Sequence, residues 1–355
     1  MLAPGIGSLD ARGRPLKSVL IVTDAWKPQI NGVVRSLERV SEVLEADGLK
    51  VHFLTPLEFN TVPMPGYGEI RLSITTRRRV FAMIDRLAPD AIHIATEGPL
   101  GFIARRYCMK RGVPFATSYH TQFPEYLRAR VPVPVRFTYD YLRRFHEPAR
   151  YCLVPTRSIA ERLVAHGFRN VVLWSRGVDT HLYDPAKRKE TLPEGAWPRP
   201  WFLYVGRVSV EKNIEAFLRL DLPGTKLVVG EGPSRKTLMA HYPRAVFTGA
   251  RTGEALATLY ASADCFVFPS RTDTFGLVLL EALASGTPVA AYPVPGPLDV
   301  VGNSGAGVLS EDLGAAARAA LQIPREYCRR YAEGFTWAES AAQFRRYLPQ
   351  ISVKP

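Results

Sequence analysis

The chain has 355 residues, of which 46% are hydrophobic and 22% are charged. This length and composition exclude a disordered or fibrous protein and leave room for two α/β domains. The formal net charge is +13 at pH 7, which favours an acidic partner such as a nucleic acid, an anionic membrane or a phosphorylated substrate. No apolar run approaches the ~20 residues that span a bilayer, so we expect no transmembrane helix.

Short apolar runs alternate with helical patterns in the first half of the chain. The runs are continuous, as in strands buried on both faces of a parallel sheet. They lie at 18–24, 51–56, 90–96, 113–120, 151–156 and 170–175. A helix is predicted over 33–48, ending at Gly48, because its apolar residues fall on one face. Residues 1–16 lack such a pattern and are expected to form a loose tail.

The same alternation restarts after a segment rich in proline and charge at 184–200, which is predicted to link two domains. The second set of apolar runs lies at 201–207, 226–232, 245–250, 264–270, 288–293 and 307–310. The sequence therefore predicts an α/β protein with two Rossmann-like domains whose parallel sheets face each other across a cleft. The predicted boundaries are 17–185 for the first domain, 196–330 for the second, and 331–355 for a final helix packing back toward the first.

Two acidic residues are unusual in the stretch PSRTDTFGLVLLEALASGTP (269–288). A helix is predicted from Phe275 to Ser285, and its free N-terminal N–H groups suit a phosphate or an anionic oxygen. Asp273 precedes this helix, at the expected cleft. Glu281 lies inside it among apolar residues, which is unfavourable unless its carboxylate meets donors such as ribose hydroxyls. The alternative is that Asp273 only caps the helix and Glu281 pairs with an arginine.

Two cations share the loop that follows the predicted strand at 201–207. Arg207 comes directly after Gly206, and Lys212 follows Arg207 by five positions. Such a pair is suited to clamp a diphosphate without a metal. The alternative is a solvated pair near Glu211. The next loop contains Gly230 and Gly232, which indicate a tight turn beside a nucleotide but only weakly a dinucleotide site.

The first half offers two further candidate positions at strand ends. Asn31 and Gly32 open the first predicted helix, where glycine lets backbone N–H groups approach a ligand closely. Tyr119 and His120 end the strand at 113–120. A histidine in that position is either structural or projects into the cleft.

A basic excess is concentrated in residues 71–150, which hold 15 basic and 6 acidic residues. The clustered cations are Arg77, Arg78, Arg79, Arg105, Arg106, Lys110, Arg111, Arg143 and Arg144. Aromatic residues are interleaved with them, namely Phe102, Tyr107, Phe123, Tyr126, Phe137, Tyr139, Tyr141 and Phe145. Because arginine attracts lipid phosphates and aromatic rings favour the headgroup region, we expect this segment to attach the protein to anionic membrane. The alternative is a solvated basic surface.

Together these features resemble the retaining nucleotide-sugar glycosyltransferases of the GT-B fold, family-four type, and within them a glycolipid and mannosyltransferase-like subgroup. The resemblance covers residues 18 to 345. The matching motifs are P-x-x-N-G-V-V (28–34), S-Y-H-T (118–121), R-G-V-D-x-x-x-Y (176–183), G-R-x-x-x-x-K-N (206–213), G-E-G-P (230–233) and an acidic residue followed eight positions later by glutamate (273–281).

The resemblance implies a role for each matching position. Arg207 and Lys212 would hold the donor diphosphate, and Glu281 would bind the ribose. Asp273 would contact the transferred sugar, and His120 would lie on that sugar near the acceptor. The remaining donor positions are Gly32, Gly206, Gly232, Thr274, Phe275, Gly276 and Leu277, and the acceptor side would include Asn31 and Tyr119. The chain departs from the family pattern at Asp273, where glutamate is usual, and at Asn31, where glycine is common.

The implied activity is a metal-independent hexosyl transfer that retains the anomeric configuration and needs no cofactor beyond a nucleotide-diphosphate sugar as co-substrate. A UDP-sugar such as UDP-glucose or UDP-glucuronate is the favoured donor, and a membrane lipid such as diacylglycerol is the favoured acceptor. The enzyme would then be cytoplasmic and attached peripherally to the inner face of the membrane.

Two alternatives to this activity stay open. One is a GDP-mannose-dependent α-mannosyltransferase acting on a phosphatidylinositol-type or soluble glycan acceptor. The other is a non-catalytic protein that binds a sugar nucleotide or a nucleic acid. The second is disfavoured for nucleic acid because no helix-turn-helix, RNA-binding or zinc module signature is present.

Overall fold

The structure is a computed structural model that describes residues 16–29, 31–64, 67–120, 135–191 and 195–351. Most of the tail expected at 1–16 lies outside the described residues, as do Thr121 of the S-Y-H-T motif and the aromatic residues Phe123 and Tyr126. The chain forms two compact units. The first unit comprises Met1–Ser175 with Trp337–Pro355, and the second comprises Arg176–Thr336.

The first unit contains a parallel sheet and an antiparallel hairpin. Its strands are β1 (Ser18–Val22), β2 (Lys50–Leu54), β3 (Asn60–Met64), β4 (Tyr67–Ile74), β5 (Ala91–Ile94), β6 (Ala116–Ser118), β7 (Tyr151–Val154) and β8 (Val171–Leu173). The sheet has the order β2-β1-β5-β6-β7-β8, and each neighbouring pair is parallel. The hairpin pairs β3 with β4 and was not predicted from the sequence.

Helices follow most strands of the first unit. They are α1 (Gly32–Ala46), α2 (Arg77–Leu87), α3 (Pro99–Arg111), α4 (Val135–His146) and α5 (Arg157–Ala165). The predicted helix at 33–48 corresponds to α1. Its apolar face, which includes Leu37 and Val40, is fully buried in the core beside β1.

The second unit repeats the arrangement. Its strands are β9 (Trp201–Val205), β10 (Thr225–Val229), β11 (Val246–Gly249), β12 (Cys265–Phe268), β13 (Val289–Ala291) and β14 (Gly307–Leu309). Its helices are α6 (Ile214–Leu218), α7 (Arg235–His241), α8 (Gly253–Ser262), α9 (Leu277–Ala284), α10 (Pro295–Val300), α11 (Leu313–Ala320) and α12 (Arg325–Ala332). The sheet is parallel throughout, with the order β11-β10-β9-β12-β13-β14.

Strand β9 shows why the apolar runs are continuous rather than alternating. Trp201 and Leu203 pack into the core on one face of the sheet, and Phe202 and Tyr204 pack into the core on the other. All four are at most 1% exposed. Burying such side chains contributes roughly 1.5–3 kcal/mol each, so both faces of the strand require apolar residues. The predicted α/β class with two Rossmann-like halves is confirmed.

The last helix, α13 (Trp337–Arg346), belongs to the first unit. Its Ser340 accepts hydrogen bonds from the indole Nε1 of Trp174 at its carbonyl and hydroxyl oxygens, both at 3.1 Å. Phe344 of the same helix is fully buried and lies 4.9 Å from the Trp174 ring. The sequence predicted one helical stretch here, but α12 and α13 divide it between the two units.

Each sheet reverses its strand order at one point, between β1 and β5 in the first unit and between β9 and β12 in the second. Connections on the two sides of such a reversal run in opposite directions, and open parallel sheets bind ligands in the resulting crevice at their carboxyl edge. The loops after these four strands are therefore the places where functional residues are expected.

A partly buried ion-pair cluster fixes the segment that precedes β9. Asp264 accepts hydrogen bonds from Arg188 at 2.7 Å, from Arg199 at 2.8 Å and from the backbone N–H of Trp201 at 2.8 Å. The Arg199 guanidinium also lies 4.2 Å from the centre of the Trp201 ring. Both arginines come from the stretch predicted to link two domains, and the structure fastens that stretch to the second unit.

The cluster generates a prediction about pH. Burial alone would raise the pKa of Asp264, but hydrogen bonds from Arg188 and the Trp201 backbone hold it below its usual range. The stabilisation is therefore present above the unfolded-state pKa of about 4 and is lost as the pH falls through the lower folded-state value. Asp264→Asn should reduce the free energy of unfolding by about 1–3 kcal/mol at neutral pH.

Urea unfolding at several pH values measures this loss. The difference between the wild type and Asp264→Asn should shrink below about pH 4. Glu190→Gln is the matched control, because Glu190 pairs with the same two arginines but is 76% exposed, and its effect should stay within about 0.5 kcal/mol. A difference for Asp264→Asn that does not change with pH would contradict the argument.

Candidate active site

In the second unit, the loops after β9 and β12 bind to each other. Lys212 Nζ lies 2.5 Å from Asp273 Oδ1, and both side chains are about one-fifth exposed. Asn213 Nδ2 donates to the carbonyl of Pro269 at 3.1 Å. The structure thus brings together the lysine expected to hold a diphosphate and the carboxylate expected to contact a sugar.

Arg207 lies in the same loop and is half-buried. Its carbonyl accepts a hydrogen bond from the Tyr204 hydroxyl at 2.9 Å, which fixes the backbone as it leaves the strand. The loop then closes in a 3₁₀ turn, Val210–Lys212. Both predicted cations are therefore held on one short, anchored segment at the carboxyl edge of the sheet.

The glycines of the G-E-G-P motif serve close backbone packing. Gly230 and Gly232 have φ values of +143° and +157°. A Cβ at Gly230 would lie 1.9 Å from the Gly206 carbonyl oxygen, and one at Gly232 would lie 2.3 Å from that of Val208. Val208 N in turn donates to the Glu231 carbonyl at 2.8 Å. These contacts clamp the motif to the loop that carries Arg207.

The start of α9 excludes one of the two interpretations of Asp273. The residue that caps this helix is Gly276, and no side chain caps it. Asp273 pairs with Lys212 instead. Thr274 is half-buried, and Phe275 is 7% exposed and packs into the core. Leu277 is the first residue of the helix.

Glu281 is 6% exposed on α9, and its Oε2 accepts a hydrogen bond from the Tyr260 hydroxyl at 2.9 Å. Tyr183 packs edge-on against the Tyr260 ring, with 5.6 Å between ring centres. Tyr183 is positioned by Asp179, whose Oδ1 accepts backbone hydrogen bonds from the next turn. The R-G-V-D-x-x-x-Y motif therefore supports the glutamate that was expected to bind a ribose.

In the first unit, Asn31 caps α1, because its Oδ1 accepts hydrogen bonds from Val33 N and Val34 N, both at 3.0 Å. Gly32 is the exposed first residue of that helix. His120 is half-buried after β6, and its ring lies 5.7 Å from that of Trp174. Tyr119 is 1% exposed and packs in the core, where its ring is away from solvent.

Sequence reasoning missed a pair of carboxylates at the strand reversal of the first unit. Asp24 follows β1 and is 5% exposed, and its carboxylate accepts hydrogen bonds from Leu100 N and Gly101 N at the start of α3. Burial, with a smaller contribution from the nearby Glu97, raises the pKa of Asp24 to about 6 despite these donors. Glu97 follows β5. Each of these acids stands at the end of a predicted strand, and that position could have identified both as candidate site residues from the sequence.

Only part of the basic segment forms a common surface. Arg77, Arg78, Arg106 and Lys110 line a groove of about 510 Å³ between α2 and α3, together with Phe81, Ala82 and Asp85. We call it the basic groove. None of these four cations has an ion pair or hydrogen bond within the described residues.

The other cations of the segment have local partners or lie apart. Arg79 donates to the Glu58 carbonyl, and Arg105 donates to the carbonyls of Arg144 and Phe145. Arg111 pairs with Asp85 at 3.1 Å, and Arg143 pairs with Asp140 at 3.4 Å. Arg144 is exposed.

The two parallel-sheet halves have the fold of the GT-B glycosyltransferases. Family models described as Glycosyltransferase Family 4 and Glycosyl transferases group 1 match residues 30–182 and 199–325. The chain is 33% identical over 309 residues to a GDP-mannose-dependent alpha-mannosyltransferase of Mycobacterium tuberculosis, covering 80% of this chain and 81% of that protein. It therefore belongs to glycosyltransferase family 4 and is a hexosyltransferase.

Other relatives have different acceptors or donors in their names. A sulfoquinovosyl transferase of Arabidopsis thaliana is 32% identical, over 78% of this chain and 58% of that protein. An alpha-monoglucosyldiacylglycerol synthase of Streptococcus pneumoniae is 26% identical, over 78% of this chain and 71% of that protein. Among solved structures, a sucrose-phosphate synthase from Thermosynechococcus elongatus has a TM-score of 0.72 at 22% identity, covering 92% of this chain and 97% of the other.

The anchored loop generates a prediction about catalysis. Arg207→Ala and Lys212→Ala should each lower kcat/KM for sugar transfer by roughly 10²-fold, the scale expected when one charged contact to the leaving group is removed. Steady-state kinetics at varied donor concentration measure the loss. Lys236→Ala is the control, because Lys236 is an exposed lysine on α7 of the same unit. Activity within about threefold of the wild type in both site variants, with normal folding, would refute the prediction that Arg207 and Lys212 hold the donor diphosphate.

Proposed function

We propose that this enzyme moves a hexosyl group from a nucleotide-diphosphate sugar to a membrane lipid such as diacylglycerol, with retention, and so makes an α-glycolipid. The observation that carries the donor half is the 2.5 Å pair of Lys212 and Asp273 at the strand reversal of the second unit. This contact supports the proposal, because it joins the cation assigned to the diphosphate and the carboxylate assigned to the sugar.

The second unit supplies the groups for breaking the donor bond. Arg207 and Lys212 stabilise the charge that develops on the departing diphosphate, aided by the free N–H groups at the start of α9. Glu281, supported by Tyr260, accepts hydrogen bonds from the ribose. Asp273 accepts one from a hydroxyl of the transferred sugar.

The proposed transfer occurs on one face of the sugar. The bond from the anomeric carbon to the diphosphate oxygen breaks as the bond to the acceptor oxygen forms on the same side. The departing phosphate oxygen takes the proton of the acceptor hydroxyl, so no protein nucleophile is required. His120, at the carboxyl edge of the first unit, is assigned to the sugar near this oxygen.

A lipid acceptor is supported by the basic groove. Each cation near an anionic membrane contributes about 1 kcal/mol, so the groove suffices for measurable attachment. Two aromatic side chains on α4, Phe137 and Tyr141, are 57% and 52% exposed. The Tyr141 ring lies 5.8 Å from that of Phe102 on α3, one helical turn before Arg106.

These rings, which we call the aromatic patch, therefore adjoin the basic groove in a combination typical of a surface that enters lipid headgroups. In the described parts of the chain, no helix is long and apolar enough to cross a membrane. We assign the enzyme to the inner face of the membrane as a peripheral protein.

A second candidate donor is GDP-mannose, with a phosphatidylinositol-type or soluble glycan acceptor. It is supported by the relative at 33% identity, which is a GDP-mannose-dependent alpha-mannosyltransferase. The test offers UDP-glucose, UDP-glucuronate and GDP-mannose to the enzyme with vesicles containing dioleoylglycerol or phosphatidylinositol. Chromatography of the extracted lipids identifies the product, and Glu281→Ala serves as the inactive control.

The proposed chemistry requires no divalent metal. Because Arg207 and Lys212 neutralise the diphosphate, exhaustive treatment with EDTA should leave the rate of lipid glycosylation within about twofold of the untreated rate. The same assay with added Mg²⁺ or Mn²⁺ completes the test. Activity that is lost with EDTA and restored only by one of these ions would refute metal independence.

The basic groove should determine membrane binding. Replacing Arg77 and Arg106 together by glutamate should weaken binding to vesicles with phosphatidylglycerol by at least about tenfold, because two attractive charges become repulsive. Flotation at low and high salt measures it, and wild-type binding should fall as salt rises. Replacing Arg157 and Arg169 by glutamate is the control, since both are exposed near β7 and β8 of the same unit. Equal loss in both double variants, or binding insensitive to salt, would count against the groove.

A further inference from the structure

We propose that Glu97 binds a hydroxyl group of the glycosyl acceptor and that the buried His146 is a positioning residue that holds its carboxylate in place. The inference rests on the proposed transfer to a lipid and adds a residue that selects the acceptor. Glu97 lies in the first unit, at the reversal of strand order between β1 and β5.

Solvent exposure distinguishes Glu97 from the neighbouring acid, Asp24. Glu97 follows β5 and Asp24 follows β1, so both stand at the point where a parallel sheet binds its ligand. Asp24 is 5% exposed, and both of its oxygens accept hydrogen bonds from the start of α3. The Glu97 side chain is 25% exposed. Of these two acids, Glu97 is the one that a ligand can reach.

The partner of Glu97 is a histidine with no solvent exposure. His146 Nε2 lies 3.1 Å from Glu97 Oε1, and His146 Nδ1 lies 2.9 Å from Thr117 Oγ1. Nε2 carries a hydrogen because its partner is a carboxylate, which only accepts. The Thr117 hydroxyl is also 3.4 Å from the Tyr151 carbonyl, so it can donate there and accept from Nδ1, and the ring is then an imidazolium.

The surroundings favour this charge. Burial alone lowers the pKa of His146, but the adjoining Cys152 sulfur and the Glu97 carboxylate raise it to about 10. His146 is also the last residue of α4, where the helix dipole favours a cation. The remaining neighbours are the rings of Tyr119, Phe145 and Phe168.

Burying an imidazolium only to support a loop would be energetically unfavourable. Removing a charge from water costs several kcal/mol, and an apolar side chain of similar volume would fill the same space without that loss. The pair holds a partly exposed carboxylate at one orientation at the ligand edge of the sheet. Within the described residues, the hydrogen bonds to Glu97 engage Oε1, which leaves Oε2 able to accept from a ligand.

The chemistry of the site selects the kind of group it binds. A carboxylate accepts a hydrogen bond from a hydroxyl and repels a phosphate. The Phe102 ring of the aromatic patch lies 4.8 Å from the ring of Phe145, which directly precedes His146, the partner of Glu97, so Glu97 lies close to the aromatic patch. A lipid held at that patch would therefore meet Glu97 with the hydroxyl of its neutral headgroup, while anionic headgroups meet the basic groove.

The test is the kinetics of transfer to dioleoylglycerol in phosphatidylcholine vesicles that also contain phosphatidylserine as the anionic lipid. Glu97→Gln should raise the KM for dioleoylglycerol by at least about tenfold, the loss expected for a hydrogen bond to a charged group. Donor KM and kcat at saturating acceptor should stay within about threefold. His146→Gln, which keeps a donor toward Glu97 but removes the charge, should raise the same KM by a smaller factor.

Glu161→Gln is the matched control, since Glu161 is an exposed glutamate on α5 of the same unit. If Glu97→Gln fails to fold, Glu97→Asp keeps the charge and withdraws the carboxylate by one methylene, and it should also raise the acceptor KM. An unchanged acceptor KM in a folded Glu97 variant would overturn the inference alone. A wild type that transfers no sugar to lipid would instead overturn the proposed function on which the inference rests.

Discussion

The reversal of strand order in each parallel sheet determines where the polar loops of that unit meet. Polar residues that are distant in sequence meet there because connections leave the sheet in opposite directions. Lys212 and Asp273 are 61 positions apart, yet they form an ion pair between the loops after β9 and β12. The same geometry in the first unit places Asp24 and Glu97 at the ends of β1 and β5.

Three carboxylates at or near these edges have hydrogen-bond partners inside their own unit, which makes their burial tolerable. Asp24 is held by the backbone of α3, Glu97 by His146, and Glu281 by Tyr260. An unpartnered acid in such surroundings would cost several kcal/mol. The partners also limit how each carboxylate can rotate, so the sites are fixed in shape before a ligand arrives.

The sequence was sufficient for the two sheets, because continuous apolar runs are local patterns, and it located the loops that contain Lys212 and Asp273. It was insufficient where the environment comes from distant segments. Arg105 and Arg106 are adjacent, but Arg105 bonds to the end of α4 while Arg106 lines the basic groove. His146 reaches Glu97 across 49 positions, and no spacing signals that contact. The hairpin of β3 and β4 was missed because its residues have no continuous apolar run.

The core of the first unit also contains Ala341, Phe344 and Leu348, which pack with residues of β1 and α1 near the other end of the sequence. The second unit lies entirely between these two parts of the chain. During synthesis, the ribosome therefore completes every residue of the second unit before it releases the helix that closes the first. Newly made protein would pass through a stage in which the second unit is complete while the first still exposes the apolar surface that α13 will cover.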